Sequence, residues 1–442
     1  MTEQRAGPLF TDLYELTMAA SYYAHSVFSK ATFSLFIRDN RFTRNFYIAA
    51  GLEQVLEELS SFRFSEQDIN YLQKSGRFST DFINYLRQLQ FSGEVYAMPE
   101  GSIFFANEPV LEVSAPIIEA QLIETFLLNT IGFQTMIASK AARCVHAAEG
   151  RSLIDFSLRR THGQDAGIKV ARSTFLAGFS ATSNVLAGKI YDIPISGTMA
   201  HSYVSAFDSE LEAFFAYSDT FPDQSIFLID TYDTLEGAVT AVTVAKKMKE
   251  KGHALIGVRL DSGDMAELSR KVRNILDEAG LYDVKIFASS GFDEYKIAKV
   301  ISEGAKIDAF GVGTKVGVSG DVPFVDIVYK MVRFKGSDKR KLSPGKITLA
   351  GEKQVFRKSD RSGHYQEDVV GLRNESIDGT VPLLEKVMED GKIRRPHPPL
   401  QAIQDRCKNN FSFLPDTYKS IREHTPYPVR LSRRLKELQK GL

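Results

Sequence analysis

From residue 150 onward the chain repeats one local pattern, a short apolar run that ends on a polar or charged residue. The runs are "SLIDFSLRR", "SIFLIDTYD", "ALIGVRLDSGD", "VKIFASSGFD" and "IDAFGVGTK". Asp230, Asp261, Ser290 and Gly313 follow one another at intervals of 31, 29 and 23 residues. Helical stretches such as "TLEGAVTAVTVAKKMKEKG" and "MAELSRKVRNILDEAG" fill the intervals and close on glycine. Parallel strands need crossover connections, and helices of this length supply them. The runs are apolar rather than alternating, as strands covered on both faces should be. The spacing therefore predicts an α/β fold, an irregular β/α barrel of parallel strands whose polar ends gather at one site.

The first 150 residues have a different texture. "TDLYELTMAASYYAHSVF" (11–28) reads as a helix capped by Thr11 or Asp12, and "ATFSLFIR" (31–38) as a strand. Three short helical patterns follow between about 49 and 90, then a small antiparallel sheet over 93–116. Residues 117–150 have helical periodicity throughout, with Gly132 as a candidate kink. Residues 330–361 hold eleven Lys or Arg against three acids, with glycines and a proline between, and read as partly irregular and surface-lying. The expected organisation is an N-terminal α+β domain over 1–150, packed beside the barrel. The barrel covers 151–330, and a basic loop and C-terminal helical segment over 331–442 complete the N-terminal domain.

Composition limits the function class. The chain has 442 residues, 43% hydrophobic and 25% charged, with Lys+Arg and Asp+Glu equal at 55. A zero net charge argues against a general nucleic-acid binder. Two distant cysteines, Cys144 and Cys407, suggest a reducing compartment and no disulfide framework. No signal peptide and no run of eighteen apolar residues is evident, so a cytoplasmic protein without a membrane span is expected.

Four strand-end motifs carry candidate chemistry. "FGVGTKVG" (310–317) has backbone N–H groups that can cradle a phosphate, or it is a plain glycine turn. In "GVRLDSGD", Arg259 and Asp261 share one strand face and could hold an anion and a sugar diol. Alternatively they form a rim salt bridge, with Ser262 or Asp264 capping a helix. In "IDFSLRRTHGQDAG", Phe156 and Arg159, with Arg160 beside it, suit a flat anionic ring; core Phe with surface Arg is the plainer reading. "SGTMAHSYVSAF" places His201 among small and hydroxyl residues, with no second histidine within thirty residues. That spacing does not make a zinc site, and no GxSxG elbow makes His201 a hydrolase base. "DTYD" (230–233) offers a carboxylate to orient the ring.

Taken together, these segments resemble the nicotinate phosphoribosyltransferase family. "TDLYELTMAASYY", "FSLFIR", "AGLE", "IDFSLRRTHGQDAG", "GFSATSNVLAG", "IPISGTMAHSYV", "DTYDTLEG", "GVRLDSGD" and "IDAFGVGTKV" occur in the family's order from residue 11 to about 316, and "GEKQVFR" extends the likeness. The resemblance implies an ATP-assisted condensation of nicotinate with 5-phosphoribosyl-1-pyrophosphate in NAD salvage, giving nicotinate mononucleotide and pyrophosphate. ATP and Mg2+ are the implied cofactors, and a homodimer with shared active sites the implied assembly. By resemblance His201 is the phosphorylated residue, Asp230 its orienting partner, and Phe156 a stacking face for the pyridine. Tyr14 of a second subunit supplies the other face. Arg159 and Thr198 meet the ring's carboxylate or the ribose phosphate, and Arg259 and Asp261 the phosphoribosyl group. Asp261 also stabilises positive charge at the anomeric carbon. Gly311, Gly313 and Thr314 bind the 5′-phosphate, and Arg38, Arg41, Lys353 and Arg357 pyrophosphate or ATP.

Two features depart from the family pattern. Two cysteines cannot build the cysteine-rich metal site some members carry, and Ser290 and Gly291 stand where many relatives have Asn and Asp. Competing readings are a nicotinamide or quinolinate phosphoribosyltransferase, or a non-catalytic binding protein of the same fold. A strongly cationic ring pocket favours an acid over an amide, and the acid–base set argues against a protein without turnover.

Overall fold

The structure is a computed structural model that describes residues 7–39, 44–341, 343 and 348–442. The chain forms two compact units, one of Met1–Met136 with Phe324–Leu442 and one of Ile137–Pro323.

The Ile137–Pro323 unit is built on six parallel strands. Their order across the sheet is Ala181–Thr182, Ser152–Asp155, Ala309–Val312, Lys285–Ala288, Gly257–Leu260 and Ile226–Leu228. Every neighbouring pair runs parallel. The sheet curls as a half-barrel, and its first and last strands are not paired with each other among the described residues. Ala309–Val312, at the middle of the sheet, is buried at all four positions. That burial is why these runs are apolar without alternation.

Helices Thr234–Glu250, Met265–Glu278 and Glu294–Ser302 make three of the crossovers. Each starts at an aspartate, Asp233, Asp264 or Asp293, whose side chain accepts a first-turn backbone N–H. Asp264 is therefore the helix cap of its motif, which leaves Asp261 free for another task.

The other unit is mostly antiparallel, with one parallel pair between Tyr365–Leu372 and Val429–Leu431. Its larger sheet has the order Ser337–Asp338, Ile327–Phe334, Lys30–Ile37, Pro109–Pro116, Glu94–Ala97, Glu385–Glu389 and Lys392–Ile393. A second sheet joins Thr380–Pro382, Lys353–Ser359, Tyr365–Leu372 and Val429–Leu431. Helices Leu52–Ser60, Glu66–Lys74 and Thr80–Gln88 are the three short ones the sequence pattern predicts.

Two expectations need correction here. Residues 117–150 are not one helix kinked at Gly132. The break falls at Ile123, between helices Ile117–Leu122 and Glu124–Ala147. Gly132 instead admits a neighbour, since a Cβ there would come within 3.0 Å of Ile327 Cγ2. The basic stretch is not mainly surface loop either. Ile327–Phe334 pairs with Lys30–Ile37 inside the seven-stranded sheet, and Lys353–Ser359 is buried over its first five residues. Two cations of the stretch, Lys353 and Arg357, are buried in ion pairs, while Lys335, Lys339, Lys341, Lys358 and Arg361 are exposed.

Candidate active site

The strand ends of the Ile137–Pro323 unit bring together the side chains on which the chemistry would depend. Phe156 leaves its strand with its N–H bonded to Val312 O at 2.9 Å. Its ring lies on Gly311, where a Cβ would fall 2.4 Å from Phe156 Cδ2. At Gly313 a Cβ would meet Phe156 O at 3.1 Å. The two glycines thus leave room for a half-exposed aromatic ring beside the start of the Thr314–Gly317 helical turn. Arg159 stands exposed on the short helical turn Leu158–Arg160.

Asp155, which sequence reasoning passed over, holds this corner. Its buried carboxylate accepts Ser157 N–H at 2.9 Å and Thr182 Oγ1–H at 2.8 Å. Burial is the main cause that raises its pKa.

His201 opens the short helix His201–Val204. Its Nδ1 is 3.1 Å from Thr231 Oγ1, and its Nε2 is 3.8 Å from Asp261 Oδ2. The expected orienting partner, Asp230, is engaged elsewhere. Asp230 Oδ2 accepts Asp261 N–H at 2.9 Å and Ser262 Oγ–H at 2.6 Å. The correction is that Thr231, the next residue, meets the ring, while Asp230 fixes the backbone that carries Asp261. Asp261 Oδ1 in turn accepts the Ser289 hydroxyl.

Arg259 and Thr198 are brought together. The guanidinium donates to Thr198 Oγ1 at 2.5 Å and to Met199 O at 2.9 Å, which ties the loop before His201 to the sheet. Burial lowers the Arg259 pKa, opposed by the charges of Asp261 and Asp230. Three buried polar atoms here have no hydrogen-bond partner: Arg259 Nε, Asp230 Oδ1 and Glu210 Oε1. Glu210 is pushed up to about 7, first by burial and then by Asp230, Asp233 and Glu236. Unsatisfied buried groups are costly, and their gathering at strand ends fits a site that a polar ligand completes. Sequence reasoning missed Glu210 because "SELE" reads as an ordinary helix start, and Ser209 does cap that helix.

The remaining candidates lie in the other unit. Tyr14 is 46% exposed on helix Leu13–Ala24, near exposed Phe10 and Leu13. Its phenol is raised by burial and by Glu124, Glu15 and Asp12. Arg38 faces Asp326 at 3.7 Å. Arg41 lies outside the described residues. Lys353 and Arg357 are corrected from ligand contacts to core cations. Lys353, 3% exposed, donates to Leu349 O and Gly351 O and pairs with Glu112 at 3.3 Å. Arg357, 5% exposed, grips both oxygens of buried Asp368. Cations buried and paired this way are not placed to meet a phosphate.

Comparison with known proteins gives the family. The profile for the nicotinate phosphoribosyltransferase family matches residues 151–341. The family's N-terminal domain matches 9–132 and its C-terminal domain 378–439. The chain is 46% identical over 434 residues to a nicotinate phosphoribosyltransferase of Mycobacterium tuberculosis, covering 98% of this chain and 93% of that one. It is 41% identical to the Bacillus subtilis nicotinate phosphoribosyltransferase, with 96% and 92% covered. The crystal structure of human nicotinic acid phosphoribosyltransferase superposes with a TM-score of 0.87 at 28% identity, covering 98% of this chain and 99% of that one. Motifs, fold and full-length similarity agree, and the chain belongs to the nicotinate phosphoribosyltransferase family.

Proposed function

We propose that this enzyme of NAD salvage couples ATP hydrolysis to the condensation of nicotinate with 5-phosphoribosyl-1-pyrophosphate, through a phosphate carried on His201. The observation that carries this reading is the placement of His201. One ring nitrogen is held by Thr231, and the other faces Asp261, the carboxylate assigned to the sugar. Phe156 gives the pyridine a face, and Arg159 a cation for its carboxylate. Gly311, Gly313 and Thr314 offer backbone to the 5′-phosphate.

As pyrophosphate leaves, its oxygen takes the electron pair of the breaking C–O bond. The anomeric carbon becomes cationic, Asp261 faces that charge, and the pyridine nitrogen supplies the new bond. Asp230, by accepting Asp261 N–H, holds the carboxylate in place without reorganisation. Among the described residues no three His, Cys, Asp or Glu side chains gather as a metal cage. Mg2+ would enter on the phosphates it accompanies and neutralise part of their charge.

Both cysteines are free and buried, and no described helix is long and apolar enough to cross a membrane; both fit a cytoplasmic enzyme. We also propose a homodimer in which Tyr14 of one protomer covers the pyridine of its partner's site. The exposure of Tyr14, with Phe10 and Leu13 also exposed, supports it. Tyr14→Ala and His201→Ala should each lose ATP-stimulated activity and regain part of it when mixed and re-associated. No recovery in a demonstrably mixed dimer would overturn the shared site.

The direct test of the reaction is nicotinate-dependent pyrophosphate release with and without ATP. Expected are strong stimulation by ATP and ADP formed alongside nicotinate mononucleotide. Equal turnover without ATP, with no ADP formed, would refute the coupling.

A further inference from the structure

We propose that Thr231 is the positioning residue that decides which imidazole nitrogen of His201 takes the phosphate. The inference rests on the phosphohistidine reading above and goes beyond it. A histidine that accepts a phosphoryl group must offer a bare nitrogen lone pair, so its proton must sit on the other nitrogen. The tautomer is set by whatever the second nitrogen touches. Here that contact is Thr231 Oγ1, 3.1 Å from Nδ1. A hydroxyl oxygen there can accept the Nδ1 proton and leave Nε2 bare.

Thr231 cannot easily turn away, because the chain on both sides of it is fixed. Ile229 N–H bonds to Arg259 O at 3.1 Å. Helix Thr234–Glu250 packs so closely that a Cβ at Gly237 would lie 2.1 Å from Ile229 O. Asp233 caps the same helix through Leu235 N–H and Glu236 N–H, each at 2.9 Å. Asp230 Oδ2 is taken by Asp261 N–H and Ser262 Oγ–H, and the hydrogen bond to the ring is made by Thr231.

The step then follows. The Nε2 lone pair attacks the γ-phosphorus of ATP, the bond to the bridging oxygen breaks, and ADP leaves with that electron pair. The ring keeps its proton on Nδ1, donated to Thr231, and becomes cationic beside an anionic phosphoryl group. Hydrolysis reverses the bond: water attacks phosphorus and Nε2 departs with its pair. A neutral hydroxyl at Nδ1 suits both directions, because it orients the ring without drawing off the proton that makes Nε2 a good leaving group. The phosphoryl group also grows from the edge that faces Asp261, 3.8 Å away.

The test compares wild type with Thr231→Val, which keeps the shape without the hydroxyl, and Thr231→Ser, which keeps the hydroxyl. In the unphosphorylated wild-type enzyme, nitrogen NMR of labelled histidine should show the His201 proton on Nδ1. That measurement needs no variant. After reaction with ATP, phosphorus NMR and peptide mapping should place the phosphate on Nε2. Thr231→Val should slow His201 labelling about tenfold, the scale of one lost hydrogen bond, and Thr231→Ser should restore it. The inference is overturned if the proton sits on Nε2, if the phosphate is on Nδ1, or if Thr231→Val labels at the wild-type rate. Wild-type enzyme in which His201 takes no label at all would refute the phosphohistidine reading itself, and this inference with it.

Discussion

Two sets of charged residues in this protein look alike in sequence and behave oppositely in structure. At the strand ends of the parallel sheet, Arg259, Asp230 and Glu210 each retain a buried polar atom with no partner. In the four-stranded sheet of the other unit, Arg357 lies bidentate on Asp368, and Lys353 is met by two carbonyls and Glu112. The first set carries unspent hydrogen-bonding capacity at the open end of a sheet. The second is shut inside, and there too Glu108 Oε1 and Arg373 Nε lack a hydrogen-bond partner among the described residues. What separates the two sets is access: the side chains of His201 and Asp261 beside the first are 44% and 40% exposed, those of Arg357 and Asp368 5% and 0%. Unused capacity that solvent reaches is what a ligand can use; a buried ion pair serves the fold.

Removing a buried cation should give the largest effect, and it should be a stability effect. Arg357→Ala leaves Asp368 and its neighbour Glu108 buried without their cation. A cost of about 3–5 kcal/mol is expected, read as a large drop in thermal midpoint with turnover per folded molecule retained. A normal melting curve with a collapsed turnover would erase the distinction between the two regions.

Asp261→Asn comes next and should do the reverse. Shape is kept and charge is lost, so turnover should fall about a hundredfold or more with little change in stability. If the loss is confined to KM, Asp261 binds ground state and transition state alike, and its electrostatic role is wrong.

Gly237→Ala tests the scaffold under the open site. Its Cβ would press on Ile229 O, and forced overpacking costs about 1–3 kcal/mol. The displaced turn should also weaken ATP stimulation through Thr231. A more stable variant with full stimulation would show that this close approach does no positioning.

Glu210→Gln gives the smallest effect and a distinctive pH signature. The folded-state pKa of about 7 lies above a glutamate's ordinary 4.5, so the folded state holds the proton more tightly. Stability from that proton is present below about pH 4.5 and is lost as pH rises through about 7. Glu210→Gln should therefore gain stability relative to wild type between those values, on the order of 1 kcal/mol after discounting for partial exposure. Parallel curves of stability against pH for the two proteins would show that the carboxyl is not held proton-rich.

The β/α rhythm made the catalytic sheet legible in the sequence, because buried parallel strands cannot alternate and their polar ends stand out. The strand-end positions of Phe156, Arg259 and Asp261 are legible for the same reason, whereas His201 opens the helix His201–Val204, well past the strand Ala181–Thr182. The partner of His201 was not legible. The strand ends at Leu228, and beyond it the two-residue alternation that could choose between Asp230 and Thr231 no longer applies. Lys353 and Arg357 misled for another reason. Their strand is buried on both faces at its start, and a count of charges contains no information about Glu112 or Asp368 folding against them. The break at Ile123 was hidden because helical periodicity continues across it.

The central claim is that the unsaturated strand-end site, and His201 within it, receives a phosphoryl group from ATP. The most direct measurement is to incubate the enzyme with γ-labelled ATP, digest it at alkaline pH and map the label. The account predicts one acid-labile, base-stable phosphate, on the peptide that contains His201, and none in His201→Asn. Label retained in His201→Asn, or found on a residue of the other unit, would contradict it.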